Sequence, residues 1–295
     1  MTSAAMIFDR SLQRHRRRRA AFLDAATFLI DWVAGELADR LATVLRRFDV
    51  VLDLGTPGEA VRAALLRLSS IGMVVSADVL PRGRPFVVAE EEALPFGDGA
   101  IDLVVSALAL QFVNDLPGVL LQVRRALKSD GLFLAALFGG ETLTELRQSF
   151  ATAESEIEGG ASPRVAPFAD LRELGGLLQR AGFALPVTDV DRLTVRYGSV
   201  FDLLQDLRRM GATNSLIARR RRPLRRATLR RMAEVYALRF ADPDGRIRAT
   251  FDIVWLSGWA PHPGQQQPLK PGSAKTRLAN ALGTHEISAR EKGGR

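Results

Sequence analysis

The chain has no cysteine among its 295 residues, only three histidines, and four lysines against 37 arginines. Without cysteine there are no disulfides, no thiolate metal ligands and no sulfur nucleophile. His15, His262 and His285 are scattered. None has a second histidine with a carboxylate at helical or strand spacing, so no facial iron site and no catalytic triad is spelled out. Each reads as a surface histidine. Long apolar runs are also missing. The best candidate for a membrane span, residues 20–38, is interrupted by Asp24, Asp31 and Glu36, short of the roughly 18 uninterrupted apolar residues a span needs. Acid is nearly absent from the first 22 residues, where Asp9 stands alone among arginines. That stretch resembles an organelle transit peptide but lacks an apolar signal core and a secretory cleavage pattern, so a cytoplasmic protein that keeps its N-terminus is expected.

What is present is an ordinary globular composition, 47% hydrophobic with a net charge of +8, enough chain for one large or two modest domains. The preference for arginine over lysine reads as the bias of a GC-rich coding sequence. Apolar residues from Phe22 to Leu45 recur at helical spacing, which predicts one amphipathic helix over about 20–46. From residue 49 onwards, short β-branched runs alternate with helices. The runs are 50–54, 72–78, 85–89, 101–108 and 131–138, with helices predicted near 58–69 and 116–128. Runs this continuously apolar are covered on both faces, and the intervening helices supply the cover. The fold class is therefore α/β, a doubly wound and mostly parallel sheet.

Beyond Phe138, Thr142 and Glu145 have the spacing of a capping box for a helix to about Glu158. Asp170 opens a helix ending at Gly182, residues 185–197 are extended, and helices near 199–210 and 223–240 precede a last strand over 247–259. The expected organisation is a covering arm and helix in 1–48 and a main domain in 49–260. That domain carries a helical insert over about 198–246, and a disordered tail fills 261–295.

Several stretches, in this order and spacing, carry a family resemblance: residues 6–12, 51–55, 88–96, 101–117, 138–147 and 163–168, with 113-VNDLP-117 and 138-FGGETL-143 the most specific. The chain resembles the class I S-adenosylmethionine (SAM) methyltransferases over about residues 6–260. Within them it is similar to the branch of protein arginine hydroxylases that act in respiratory complex I assembly, and to the biotin-pathway methyltransferases acting on malonyl-acyl carrier protein. The resemblance implies a seven-stranded Rossmann-like sheet with SAM across its switch point. It implies Asp53 beside the methionine-end ammonium, Gly55 in the cofactor turn, Asp78 on the ribose hydroxyls, Glu90 at the adenine amino group and Ser106 beside the cofactor's middle.

The family's glycine-rich loop departs from its pattern here, with Thr56, Pro57, Gly58 and Glu59 after the first glycine. Proline has no N–H and a fixed φ, and Glu59 brings a side chain where the helix presses close, so weakened cofactor binding is expected. Gly58 can take over the turn, since Pro-Gly favours type II geometry.

On the acceptor side the resemblance points to Arg10, in a segment folding over the site, to Gln111 and Asn114 after the fourth strand, and to 138–140 at the end of the fifth. Two basic runs, 14–19 and 219–231, are read as solvated helix faces or as a docking surface for an acidic protein or acyl-carrier-type substrate. They lack aromatics for stacking bases, and 111-QFVN-114 is not the sequence of base-modifying members, so nucleic acid is an unlikely partner. Two functions follow: a SAM-dependent enzyme acting on a protein or carrier-bound acceptor, or a non-catalytic assembly factor with a degenerate pocket.

Overall fold

The computed structural model describes residues 6–81, 85–265, 280, 283 and 284. One compact unit spans Met1–Pro261 and a second His262–Arg295. The expected tail and His285 fall largely outside the described residues.

Seven strands form a single sheet: β1 (Phe48–Leu54), β2 (Ile71–Asp78), β3 (Phe86–Val88), β4 (Ile101–Ala107), β5 (Leu127–Phe138), β6 (Ala184–Tyr197) and β7 (Ile247–Trp259). The order is β3-β2-β1-β4-β5-β7-β6. The first five strands run parallel, and β7 is antiparallel to both β5 and β6. The chain leaves β1 towards β2 and β3, then crosses back to β4 on β1's other side. The carboxyl ends of β1 and β4 therefore flank the crevice where sheets of this type bind ligands.

The strands sort their side chains by parity. Val51, Leu103, Leu134, Ile253 and Trp255 enter one core, while Leu52, Val104, Phe133, Ala135 and Leu256 enter the other. This is the period of two expected for strands covered on both faces. Helices α2 (Phe28–Ala42), α3 (Ala60–Leu65), α5 (Thr144–Glu158), α7 (Val200–Arg209) and α8 (Arg226–Phe240) cover the first face; α4 (Leu116–Ala126) and α6 (Leu171–Arg180) cover the second. Asp115 and Asp170 cap α4 and α6 by accepting from Gly118 N and Glu173 N.

The helix expected over 20–46 is shorter, and a separate helix precedes it. α1 (Arg10–Ala20) ends before Phe22, which is 90% exposed, and α2 begins at Phe28. The buried stripe Leu29, Ile30, Val33, Ala34, Leu37 and Leu41 belongs to α2 alone, while α1 turns mainly polar side chains inward. Phe22 and Ala25 share the helical spacing of that stripe but lie in the connection between the two helices.

The capping box is also corrected. α5 starts after Leu143, a left-handed residue with φ 55° and no side-chain cap. Thr142 Oγ1 instead donates to Asp252 O and accepts from Asp252 N, both at 3.1 Å. Glu145, buried, accepts from Thr250 N at 3.1 Å and from its hydroxyl. Gly139 lies so close to β7 that a Cβ there would sit 2.8 Å from Val254 Cγ2. The 138–143 motif is thus the lock between α5 and β7. Thr142→Val, which keeps the shape and removes both hydrogen bonds, is expected to lower stability by about 1–3 kcal/mol, read as a lower urea midpoint at unchanged slope.

Candidate functional site: a cleft under the N-terminal helix

The turn after β1 is fixed by four contacts. Gly55 has φ +70°, and a Cβ there would lie 2.7 Å from Glu91 Oε1 and 3.1 Å from Ala109 Cβ, so only glycine fits. Gly55 N donates to Ala77 O at 2.7 Å. Thr56 is buried and its Oγ1 accepts from Ala107 N at 3.1 Å, tying the loop to β4. Gly58 has φ +74°, the conformation a type II turn places after proline. Glu59 is exposed at the start of α3 and stands at the rim of the cleft, so the expected crowding against strand and helix is not seen.

Above this turn lies a cavity of about 340 Å³, lined by Gly55, Pro57, Gly58, Glu91, Leu108 and Ala109 on the sheet side and by Gln13, Arg17 and Ala20 of α1 on the other. A second cavity of about 470 Å³ adjoins it and shares Phe112, Phe138, Met210 and Ala212 with it. Its wall is largely apolar, with Leu146, Phe150, Phe168 and Phe251, and Arg16, Arg164 and Arg208 also line it. Both volumes lie within the roughly 300–1,000 Å³ of small-molecule sites.

The roof is held by polar contacts to the N-terminal arm. Asn114 Oδ1 accepts from Ile7 N at 2.9 Å and Phe8 N at 2.8 Å, and its Nδ2 donates to Phe8 O at 3.1 Å. Phe8 meets Phe112 edge-on at 5.8 Å. On its other side the arm pairs with the insert: Asp9 N donates to Ser215 O, and Ile217 N to Ile7 O. Arg219 bonds Asp9 at 3.1 Å.

Three arginines of α1 then reach the sheet. Arg10 binds Phe112 O at 3.2 Å, Glu90 at 3.2 Å and, more closely, Glu91. Arg14 pairs with Glu90, and Arg17 takes Asp78 with both terminal nitrogens, at 3.0 and 2.5 Å. Burial opposes the charge of Arg10, but Glu91 and Glu90 outweigh it and hold its pKa above the ordinary value.

Asp53 and Asp78 lie at the carboxyl ends of β1 and β2, each 2% exposed, with Gly55 between them in the chain. Three expectations are corrected. Glu90 turns outward to Arg10 and Arg14, and its neighbour Glu91, 1% exposed, is the carboxylate facing Gly55. Ser106 is fully buried and donates to Leu54 O at 2.7 Å, so it joins β4 to β1 and lies off the cavity wall. Asn114 faces the arm and is fully occupied there.

Gln111 is 7% exposed, with neither amide atom hydrogen-bonded among the described residues, and it lines neither cavity. Phe138 lines both cavities, while Gly139 and Gly140 line neither. Part of each basic run is internal. Arg14, Arg16 and Arg17 bond within the protein, as do Arg219 and Arg220, leaving Arg18, Arg19, Arg221 and Arg222 exposed. His15 and His262 are exposed, and among the described residues no three His, Cys, Asp or Glu side chains gather as a ligand set.

Strand order and site together define a methyltransferase-type Rossmann domain. A methyltransferase-domain family model matches residues 52–135. The human mitochondrial arginine-hydroxylase NDUFAF5 is 40% identical over 281 residues, 91% of this chain and 81% of that one. A malonyl-[acyl-carrier protein] O-methyltransferase of Laribacter hongkongensis is 35% identical over 278 residues, 86% of this chain and 90% of that one. The YcgJ protein of Bacillus subtilis superposes with a TM-score of 0.53 at 15% identity, over 78% of this chain and 98% of that one. The chain belongs to the class I SAM methyltransferase superfamily, in the family of arginine-hydroxylase NDUFAF5. No helix among the described residues is long and apolar enough to cross a membrane.

The floor of the larger cavity depends on Glu154. Fully buried, it accepts from Ser162 N at 2.6 Å, from the Ser162 hydroxyl, and from Arg164. Burial alone would raise its pKa; the Ser162 bonds and the Arg164 charge outweigh that and hold it below the ordinary 4.5. A depressed folded-state value means the carboxylate stabilises fully above the unfolded pKa and loses its effect as pH falls through the folded one. Glu154→Gln is therefore expected to be less stable than the parent at neutral pH, with the gap closing below about pH 4.5 in acid-unfolding curves.

Proposed function

We propose that the protein is a SAM-dependent enzyme modifying a protein- or carrier-borne acceptor, with a place in respiratory complex I assembly and arginine as the specific acceptor. The carrying observation is that Asp53, Asp78 and Glu91 converge at the carboxyl ends of neighbouring strands and the loop after β3, around a turn only glycine can make. A second, apolar cavity shares the wall. The donor set fits the cofactor: carboxylates accept from an ammonium, from ribose hydroxyls and from an adenine amino group, and Gly55 lets backbone approach. In this reading Asp53 holds the ammonium, Asp78 the ribose, and Glu91, in the place expected of Glu90, the adenine edge. When bound, SAM supplies an activated methyl group.

The chain's own part is alignment and the exclusion of water, which for in-line transfer provide most of the acceleration. Phe112 and Phe138, on the shared wall, set the acceptor against the cofactor. Residues 1–48 act as the cover.

The family also supports oxygenation of an arginine, the activity in the human relative's name. Methyl and oxygen products on an acceptor protein are told apart by mass spectrometry. The exposed arginines of the two runs suit an acidic protein or carrier; the name of the Laribacter relative supports the carrier. Cytoplasmic residence is part of the reading: Arg10–Ala20, within the 22-residue stretch that resembles a transit peptide, forms the helix over the cleft.

The second reading, a non-catalytic assembly factor, is favoured by Pro57 in the cofactor loop, which lacks the N–H a donor role requires. Calorimetry separates the two. Micromolar binding of SAM or S-adenosylhomocysteine, reduced at least a hundredfold in Asp78→Ala, is expected of the enzyme. Absence of heat at millimolar ligand retires it.

A further inference from the structure

Asp78 is the carboxylate the cofactor reading needs most, yet it does not line the cavity. Arg17 lines it instead. The guanidinium covers Asp78 in a fork-to-fork contact, Nη1 to Oδ1 at 3.0 Å and Nη2 to Oδ2 at 2.5 Å, with the pair 14% and 2% exposed at the side chain. Nη2 also lies 3.5 Å from Gly55 O, over the cofactor turn itself. A ligand entering this cavity therefore meets a guanidinium, which only donates, where ribose hydroxyls would look for an acceptor.

We propose that Arg17 is an internal competitor for the ribose-binding carboxylate, and thereby the residue that sets how tightly the cleft takes an adenosine. The proposal rests on the reading of Asp78 as ribose acceptor. Its geometry comes from one helix face. Arg10, Arg14 and Arg17 follow one another at four and three residues along α1, so they stand in a row. The first two are paired with Glu90 and Glu91, which fixes the helix over the strand ends.

The backbone beneath Arg17 is fixed as well. Gly211, at φ +70° beyond α7, approaches so closely that a Cβ there would lie 3.1 Å from Arg17 Cα and 3.3 Å from Ala20 Cβ. Opening of the ion pair consequently falls to the Arg17 side chain, which must swing off the carboxylate while α1 stays in place and Leu80 N still donates to Oδ1 at 3.4 Å. The planar fork makes this a demanding exchange, because two parallel charge-assisted bonds are broken together. The ribose hydroxyls replace them with two bonds to the same oxygens. Wild-type affinity is the difference between those two sets, and it lies well below what the acceptor groups alone would give.

The test is calorimetric titration of the full chain with S-adenosylhomocysteine, for the wild type and for Arg17→Ala, Arg17→Gln, Arg19→Ala and Asp78→Asn. Arg17→Ala is expected to bind at least tenfold more tightly than wild type. Arg17→Gln, which keeps a long neutral side chain and guards against misfolding, shifts affinity the same way by a smaller factor. Arg19→Ala, one exposed arginine fewer on the same helix, matches wild type. Asp78→Asn binds most weakly. Binding by Arg17→Ala where the wild type shows none also supports the proposal. Equal or weaker binding by both Arg17 variants, while wild type binds and Asp78→Asn does not, overturns the competitor and leaves the cofactor reading standing. Failure of every variant to bind overturns both.

Discussion

Carboxylates at the open end of a parallel sheet are hard to leave uncompensated. The strand ends are covered, the local dielectric is low, and moving one such ion out of water costs several kcal/mol after relaxation. This chain places Asp78 and Glu91 there, almost wholly buried. It meets the cost with the guanidiniums of a single short helix. Arg10 and Arg17 are why α1 lies where it does, and its position in turn walls one side of both cavities.

The same contacts tie functional and structural roles together. The family motifs divide between them: Gly55 lines the cleft, with Asp53 and Asp78 buried at the strand ends on either side of it in the chain, whereas Asn114, Thr142 and Gly139 are fasteners. Asn114 holds the arm, Thr142 hooks Asp252, and Gly139 admits β7. A motif specific enough to mark the family is thus not evidence that each of its residues faces a ligand. In 113-VNDLP-117 the asparagine is satisfied by backbone of the arm and the aspartate caps α4.

Much of the architecture was legible because it is periodic. Strands that alternate side chains into two cores still read as continuous apolar runs, and all seven lie in or close to the stretches read as extended. Failures came where one pattern served two purposes. Helical spacing ran across the joint after Ala20, because periodicity does not register which surface a face serves. Once the first helix was missed, the spacing of Arg10, Arg14 and Arg17 had no face to belong to, and Arg14 and Arg17 read as part of a charge run. Thr142 and Glu145 have the spacing of a cap, but a strand far along the chain competed for them and won. Among Glu90, Glu91 and Glu92, sequence offered no means of choosing; the direction of the backbone after β3 decided it.

The roof of the cleft is sewn from the two ends of the unit. Phe8 bridges to Leu216, and Ile7 and Asp9 exchange hydrogen bonds with the segment around Ser215. On a ribosome the first strands can pair long before that segment emerges, so the arginine helix has nothing to lie against on its far side while the sheet is growing. Until some two hundred residues have been made, the arm over the acidic rim lacks the partner that holds it down.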